Sequence, residues 1–362
     1  MSDMDPIRPR PSARLFTFRG GGWVIVLAAA LVVAIATWRL TAILNAPRAP
    51  KIGDGKTVAS YGFDLSTCLV PREQLVAAGF PRDGLPRLTA PRMLTLPEAT
   101  ELARDMRAEH LGKFMVDKQR VVGVSIGGES RAYPLKYLNW HELINDTAGG
   151  VPIAVTYNPL CDSTVVFDRR VAGETLEFGI SGLLYNSNLL IYDRRSDGVR
   201  ASLWSQLQFR AIAGPAAKRA ARLTVLPSAV LPWGRWREQH PETTVLAPDP
   251  ACIKLYKRTY AEYFGSDELR FPVAPLPPGE THYKTPLIAV QAENDWQHFL
   301  LSEIAGRVDQ AGRWQTILGD QTVTFHYASE PATAWVTSDA GEQPPVAYSF
   351  WFAWYACTTA RP

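Results

Sequence analysis

From Gly20 to Trp38 the chain holds no charged residue and is dominated by Val, Ile, Leu and Ala. After Arg39, whose long side chain can snorkel, Leu40 to Leu44 extend the run. It is long enough to span a bilayer as one helix, so everything after it must fold on one side of a membrane. A cleaved signal peptide fits less well. Its polar leader would be about nineteen residues, the apolar run exceeds the usual ~7–15, and Ala46 is followed by Pro47. Arg8, Arg10, Arg14 and Arg19 place the amino terminus in the cytoplasm, opposed by Arg39, Arg48, Lys51 and Lys56 on the other flank. The expected layout is a basic tail over 1–19, a single-pass transmembrane anchor over 20–45, a linker over 46–60, and an extracytoplasmic globular part. A buried core helix is the alternative reading of the run.

The globular part reads as β-rich α+β. The 28 prolines, 26 glycines and 10% aromatics suit many short strands and turns, and 46% hydrophobic residues are ample for a large core. Pro71 to Ala78 reads as a short helix stopped by Gly79. Thr95 to His110 reads as a second, capped by Thr95 with Glu98 in its first turn. Val121 to Ile126 and Ser130 to Leu135 make a hairpin about Gly127-Gly128, and Leu138 to Asn145 a short helix. Strands are expected over Pro152 to Tyr157, Thr164 to Asp168, Thr175 to Gly179 and Leu189 to Tyr192. These belong to a main domain over 61–270. A Pro-rich linker over 271–285 then leads to a second β-rich subdomain over 286–362.

That second segment reads as a worn copy of the first. Leu287 to Gln291 mirrors Val121 to Ser125, Phe299 to Ile304 mirrors Leu138 to Leu143, and Gln321 to Tyr327 mirrors Pro152 to Tyr157. The aromatic run Phe350 to Tyr355 stands where Trp233 to Trp236 stood. No counterpart of His141 or Cys161 occurs in the copy, so the chemistry belongs to the first.

A net charge of +3, from 38 Lys and Arg against 35 Asp and Glu, is far from the basic surface that binding a phosphate backbone needs, so nucleic acid is not an expected partner. The four cysteines, Cys68, Cys161, Cys252 and Cys357, form no C-x-x-C, and no phosphate-cradling glycine loop or metalloprotease spacing occurs. Cys161 follows the rigid turn Asn158-Pro159-Leu160, and a thiol there reacts only if a cation, imidazole or amide dipole stabilises its thiolate. His141, twenty positions upstream, could do so. The pair would form a nucleophile or redox centre, or bind a soft ion such as copper. The third reading is a buried structural cysteine with a hydrogen-bonded histidine, in a partner-binding ectodomain. Tyr185, Asn186 and Gln206 are candidate substrate contacts, with turn and core roles as the alternative. Asp168-Arg169-Arg170 and Asp193-Arg194-Arg195 read as strand-end caps with local ion pairs. The sequence names no cofactor, and leaves the partner as the membrane with either a redox protein or a small molecule.

Phe63 to Ser66 with Cys68 to Pro71, Arg131 to Leu135, Asn139-Trp140-His141-Glu142, Tyr157 to Asp168, Ser181 to Ser187 and Phe350 to Ala356 together resemble the uncharacterised prokaryotic family called domain of unknown function 3179. The resemblance covers Tyr61 to Cys357. Its members often carry Cys-x-x-Cys where this chain has Asn158-Pro159-Leu160-Cys161, and some are selenoproteins. It therefore implies redox or soft-metal chemistry at Cys161, and the asparagine at 158 removes the local dithiol.

Overall fold

The computed structural model describes residues 22–44, 51–108, 114–195, 201–293 and 295–359. The chain divides into two compact units at Pro50. The described residues of the first form one helix, Gly22–Leu44. Its side chains are described over 23–38, all exposed, and among the described residues no helix is long and apolar enough to cross a membrane.

The second unit, Lys51–Pro362, is β-rich α+β. Its central sheet has seven strands, in the order Asp295–Leu300, Pro286–Ala292, Val346–Phe350, Ser163–Asp168, Val151–Asn158, Leu143–Ala148 and Leu88–Thr89. This sheet is covered on both faces, which is why its strands read as nearly continuous apolar runs. Ile153, Val155, Tyr157 and Val166 enter one core, whereas Ala154, Val165 and Phe167 enter the other. The first core is shared with a five-stranded sheet built on the hairpin Arg120–Ile126 and Glu129–Pro134, and with the meander Arg313–Leu318, Gln321–Ser329 and Ala332–Ser338. The second is shared with a five-stranded sheet built on the hairpin Phe178–Tyr185 and Asn188–Asp193.

Several expected elements form where the pattern placed them. The 121–134 hairpin pairs in register from Val121↔Pro134 to Ile126↔Glu129. Gly127 and Gly128 both have positive φ, as a type I′ turn requires. Helix Leu96–Ala108 starts after Thr95, whose backbone N–H donates to Glu98 Oε2 at 2.8 Å, whereas its expected end at His110 lies outside the described residues. Others differ. Pro71 to Ala78 is not a helix but a short turn followed by strand Leu75–Ala77, because Leu75 to Ala77 pair with Leu183 to Tyr185. The helix expected over 138–145 sits earlier, at Leu135–His141. Glu142, at φ 53°, breaks it and turns the chain into strand Leu143–Ala148. Thr175 to Gly179 is likewise not one strand, since Glu174–Thr175 pairs with Arg170–Val171 before the chain enters Phe178–Tyr185.

The 271–285 segment does not separate two bodies. Val346–Phe350 pairs with Pro286–Ala292 on one side and with Ser163–Asp168, through Tyr348↔Thr164, on the other. One succession nevertheless occurs twice: hairpin, seven-residue helix, three-stranded meander, then a strand leading into a helix. It runs through Arg120–Ile126, Glu129–Pro134, Leu135–His141, the three strands from Leu143 to Asp168 and, after six intervening strands and a short helix, Ala229–Pro232 with Trp233–Gln239. It runs again through Pro286–Ala292, Asp295–Leu300, Leu301–Arg307, the strands from Arg313 to Ser338, and Val346–Phe350 with Trp351–Thr359. Leu301–Arg307, not Phe299 to Ile304, therefore answers the 135–141 helix. The turn that carries Cys161 is answered by Glu330-Pro331 alone.

Candidate functional site

The ends of strands Val151–Asn158 and Ser163–Asp168 are joined by a four-residue turn that carries Cys161. Asn158 Oδ1 accepts from the Leu160 N–H at 2.8 Å and the Cys161 N–H at 3.3 Å, so the asparagine shapes the turn as an Asx cap. Asp162, at φ 44°, accepts both Arg120 guanidinium nitrogens at 2.8 and 3.0 Å and the Tyr157 hydroxyl at 2.8 Å. The Cys161 carbonyl accepts from Phe350 N–H at 2.6 Å, and the Tyr263 hydroxyl donates to Leu160 O at 3.0 Å.

The thiol itself is fully buried and donates to Ser187 O at 3.2 Å. Burial, reinforced by any negative charge on Cys357, pushes its pKa well up. No imidazole meets it. His141 Nδ1 contacts the Pro86 carbonyl oxygen and Nε2 lies 2.6 Å from the Tyr256 hydroxyl, so both ring nitrogens are engaged away from Cys161. Burial lowers the His141 pKa and keeps the ring neutral. The expected Cys161–His141 pair, as nucleophile or as soft-ion ligands, is therefore not assembled. The helix ends with His141 on its far side, and the left-handed turn at Glu142 sends the next residue the other way.

His141 meets instead Asp249 and Cys252, whose ligand atoms lie with its own within 4.8 Å. Among the described residues these three could hold a metal ion, although Cys252 already donates to Asp249 and the Tyr256 hydroxyl fills the space at Nε2.

Asn186 and Gln206 have structural partners, whereas the Tyr185 hydroxyl has none among the described residues. Tyr185-Asn186-Ser187-Asn188 is a hairpin turn, with Asn186 and Ser187 at φ 53° and 60°. Asn186 Oδ1 accepts from Ala274 N–H at 2.9 Å and its amide donates to Ala356 O at 3.4 Å. Gln206 sits in a buried network, accepting from Ser163 Oγ at 2.6 Å and Asn188 Nδ2 at 2.8 Å and donating to Thr156 Oγ1 at 2.9 Å. Such a network fixes the two strands behind the Cys161 turn. Tyr185 is buried with its hydroxyl unpartnered, and its pKa is pushed up to about 12, by burial first. Asp168 and Asp193 pair with Arg170 and Arg195 at 2.6 and 2.9 Å, the local strand-end arrangement that the sequence pattern suggests.

The residue that sequence reading passed over is Glu142. Its side chain lines a cavity of about 260 Å³ together with Asn158, Leu160, Tyr260, Arg270 and the hairpin residues Ile180 to Leu184. It is 8% exposed and makes no hydrogen bond or ion pair among the described residues. Burial alone raises its pKa from 4.5 to about 8. Tyr260, on the same wall, has its pKa raised by burial first and by the Glu142 charge second. The only signal in the sequence was adjacency to His141. What decides its direction is the positive φ at 142, which no propensity announces.

Gly182 shapes the cavity wall. It lies in the stretch where the hairpin register shifts between Ile180 and Leu184, at φ 78°, and a Cβ there would sit 2.7 Å from Phe80 O and 2.6 Å from the Tyr61 ring. Gly182→Ala is expected to cost more than about 1 kcal/mol, read as a lowered urea midpoint, through strain and crowding together.

These features define a β-rich α+β protein with an interior polar site at the end of its central sheet, and with no closed barrel. The chain belongs to the family described as a protein of unknown function (DUF3179), whose model matches residues 82–348. Searches of curated proteins and of solved structures found no match.

Proposed function

We propose that the globular unit is a small-molecule enzyme of the acid–base kind, with Glu142 as the group that gives and takes the proton. One observation carries this reading: a carboxyl buried in a cavity wall that makes no hydrogen bond or ion pair among the described residues. Such a group is neutral at pH 7 and poised near the pH at which proton transfer is most efficient. Infrared difference spectra of the full chain between pH 6 and 9 test it. A protonated-carboxyl band that titrates near pH 8 and disappears in Glu142→Gln is expected, and its absence from the wild type would remove the reading.

In the same proposal the apolar run over 20–45, interrupted by Arg39, holds the unit outside the cytoplasmic membrane as a single-pass anchor. Release of the full-length chain by alkaline carbonate washing would count against the anchor. The two hairpin–helix–meander successions are taken as copies of one unit, of which only the first kept a site.

A thiol site remains the second reading, favoured by Cys357, which is buried in the same core as Cys161 and whose charge would add to the burial that raises the Cys161 pKa. It makes Cys357 the partner thiol that Asn158 is not. Iodoacetamide near neutral pH is expected to reach the half-buried Cys68 first and Cys161 only after denaturant, since the Cys161 thiol is buried and its pKa raised. Fast labelling of Cys161 in the folded chain would restore it as a nucleophile.

A further inference from the structure

The helix Leu135–His141 ends against a short stretch, 249–257, that returns to it from far downstream. His141, Asp249 and Cys252 each bring one ligand atom there, and these atoms lie within 4.8 Å of one another, the only such trio among the described residues. The histidine is already oriented for a metal. Its Nδ1 faces the Pro86 carbonyl oxygen, which can only accept, so Nδ1 carries the hydrogen and Nε2 offers a lone pair. Metal-binding histidines are held in the same way, by an acceptor on the nitrogen that does not ligate. Nε2 lies 2.6 Å from the Tyr256 hydroxyl, which accepts from the Asp249 N–H at 3.2 Å and so has its own proton for the imidazole. The carboxylate and the thiol share one tight turn. Asp249 caps Pro250–Cys252 through Oδ1, which accepts from Ala251 N–H at 2.9 Å, while Oδ2 accepts from the Cys252 thiol at 3.7 Å. No cation pairs with Asp249 among the described residues. His141, Cys252 and Tyr256 are buried, and Asp249 is half-buried, which leaves the cluster one side open to the surface.

We infer that these residues form a structural site for a zinc-type divalent cation, with His141 Nε2, an Asp249 oxygen and the Cys252 sulfur as ligands and the Tyr256 oxygen at the fourth corner. Metal–ligand bonds of ~2.0–2.3 Å in a tetrahedron put neighbouring ligands roughly 3.3–3.7 Å apart. The edge between Asp249 and Cys252 has that length already. The edge between Tyr256 and His141 is shorter by about 1 Å, so the two rings need only part slightly as their hydrogen bond gives way. An imidazole, a thiolate and a carboxylate together suit zinc, whereas calcium and magnesium ask for oxygens alone and copper(I) for more sulfur. The thiolate and the carboxylate cancel the charge of the ion, which lets it sit among buried groups, and the thiol proton leaves for solvent as the ion binds. Four protein atoms leave no corner for a substrate, so the part of the ion is to tie the 249–257 stretch to the end of the helix. The Tyr137 ring, its centre 4.3 Å from that of Tyr256, braces the same junction. The inference is independent of the charge on Glu142, whose left-handed backbone turns it the other way.

The test is titration of the full chain, first stripped with a chelator, with cobalt(II) and with zinc(II). A single equivalent of cobalt(II) is expected to give a thiolate-to-metal charge-transfer band in the near ultraviolet and the strong visible bands of four-coordinate cobalt, and zinc(II) to bleach both. Zinc(II) should also raise the urea midpoint. Cys252→Ser should lose the charge-transfer band, whereas Cys68→Ser, at the half-buried cysteine outside the site, should keep it. Asp249→Asn retains an acceptor for the Ala251 N–H, so its midpoint in chelator should match that of the wild type. Its zinc affinity should nevertheless fall at least about tenfold, the loss that even an outer-shell partner causes. No band and no binding heat with either metal, a charge-transfer band that survives Cys252→Ser, or an Asp249→Asn chain that binds zinc as tightly as the wild type overturns the inference.

Discussion

Glu142→Gln is expected to stabilise the protein above pH 8 and to flatten its stability between pH 5 and 8. The folded carboxyl has its pKa raised to about 8, and the unfolded one ionises near 4.5. Below 4.5 both states hold the proton and nothing is lost. Between the two values the unfolded chain sheds a proton that the folded chain keeps, so stability falls as pH rises, and above 8 the full cost of the buried charge is in place. The gap corresponds to about 5 kcal/mol at its limit. Glutamine keeps the shape without the charge. Urea midpoints of both chains from pH 5 to 9 check this, and parallel curves would show that Glu142 is solvated in the native state.

Asp162→Ala is expected to be the most damaging single change at the site. It strands the Arg120 guanidinium, takes the acceptor from the Tyr157 hydroxyl, and puts alanine at a positive φ that aspartate tolerates better. Removing one partner of a buried pair costs about 3–5 kcal/mol. Arg120→Met combined with Asp162→Asn should cost clearly less, because no charge is left unpaired and the asparagine oxygen still accepts from Tyr157. Equal losses in the single and double variants, measured by denaturant unfolding, would mean that the ion pair contributes nothing beyond packing.

The sequence announced most of the β-rich unit because alternation, glycine turns and capping boxes act locally. The 121–134 hairpin and the Thr95–Glu98 start are legible for that reason. It misplaced what tertiary pairing decides. Leu75-Val76-Ala77 follows a helix-like Pro71 yet is drawn into a strand by the hairpin beside it. The site was half legible: Cys161 was found through its turn, while its partner was taken to be His141. Sequence spacing favoured the imidazole, but a single left-handed residue after the helix turns one side chain to Tyr256 and the next to the cavity. Arg270 and Cys357 were beyond reach, since each arrives from well over a hundred residues downstream of Glu142.

That long return has a consequence for how the molecule is made. Strand 346–350 lies in the central sheet between strands of both halves, and the Cys161 carbonyl is held by the Phe350 N–H. During synthesis the Cys161 turn is therefore complete only after Phe350 has left the ribosome, and until then its central sheet has an open edge beside Ser163–Asp168. Pairings so distant in sequence close slowly, and the waiting edge invites the wrong neighbour. Residues 346–350 act as a latch on the first half, so a chain without them keeps its site residues but not the strand that holds their turn.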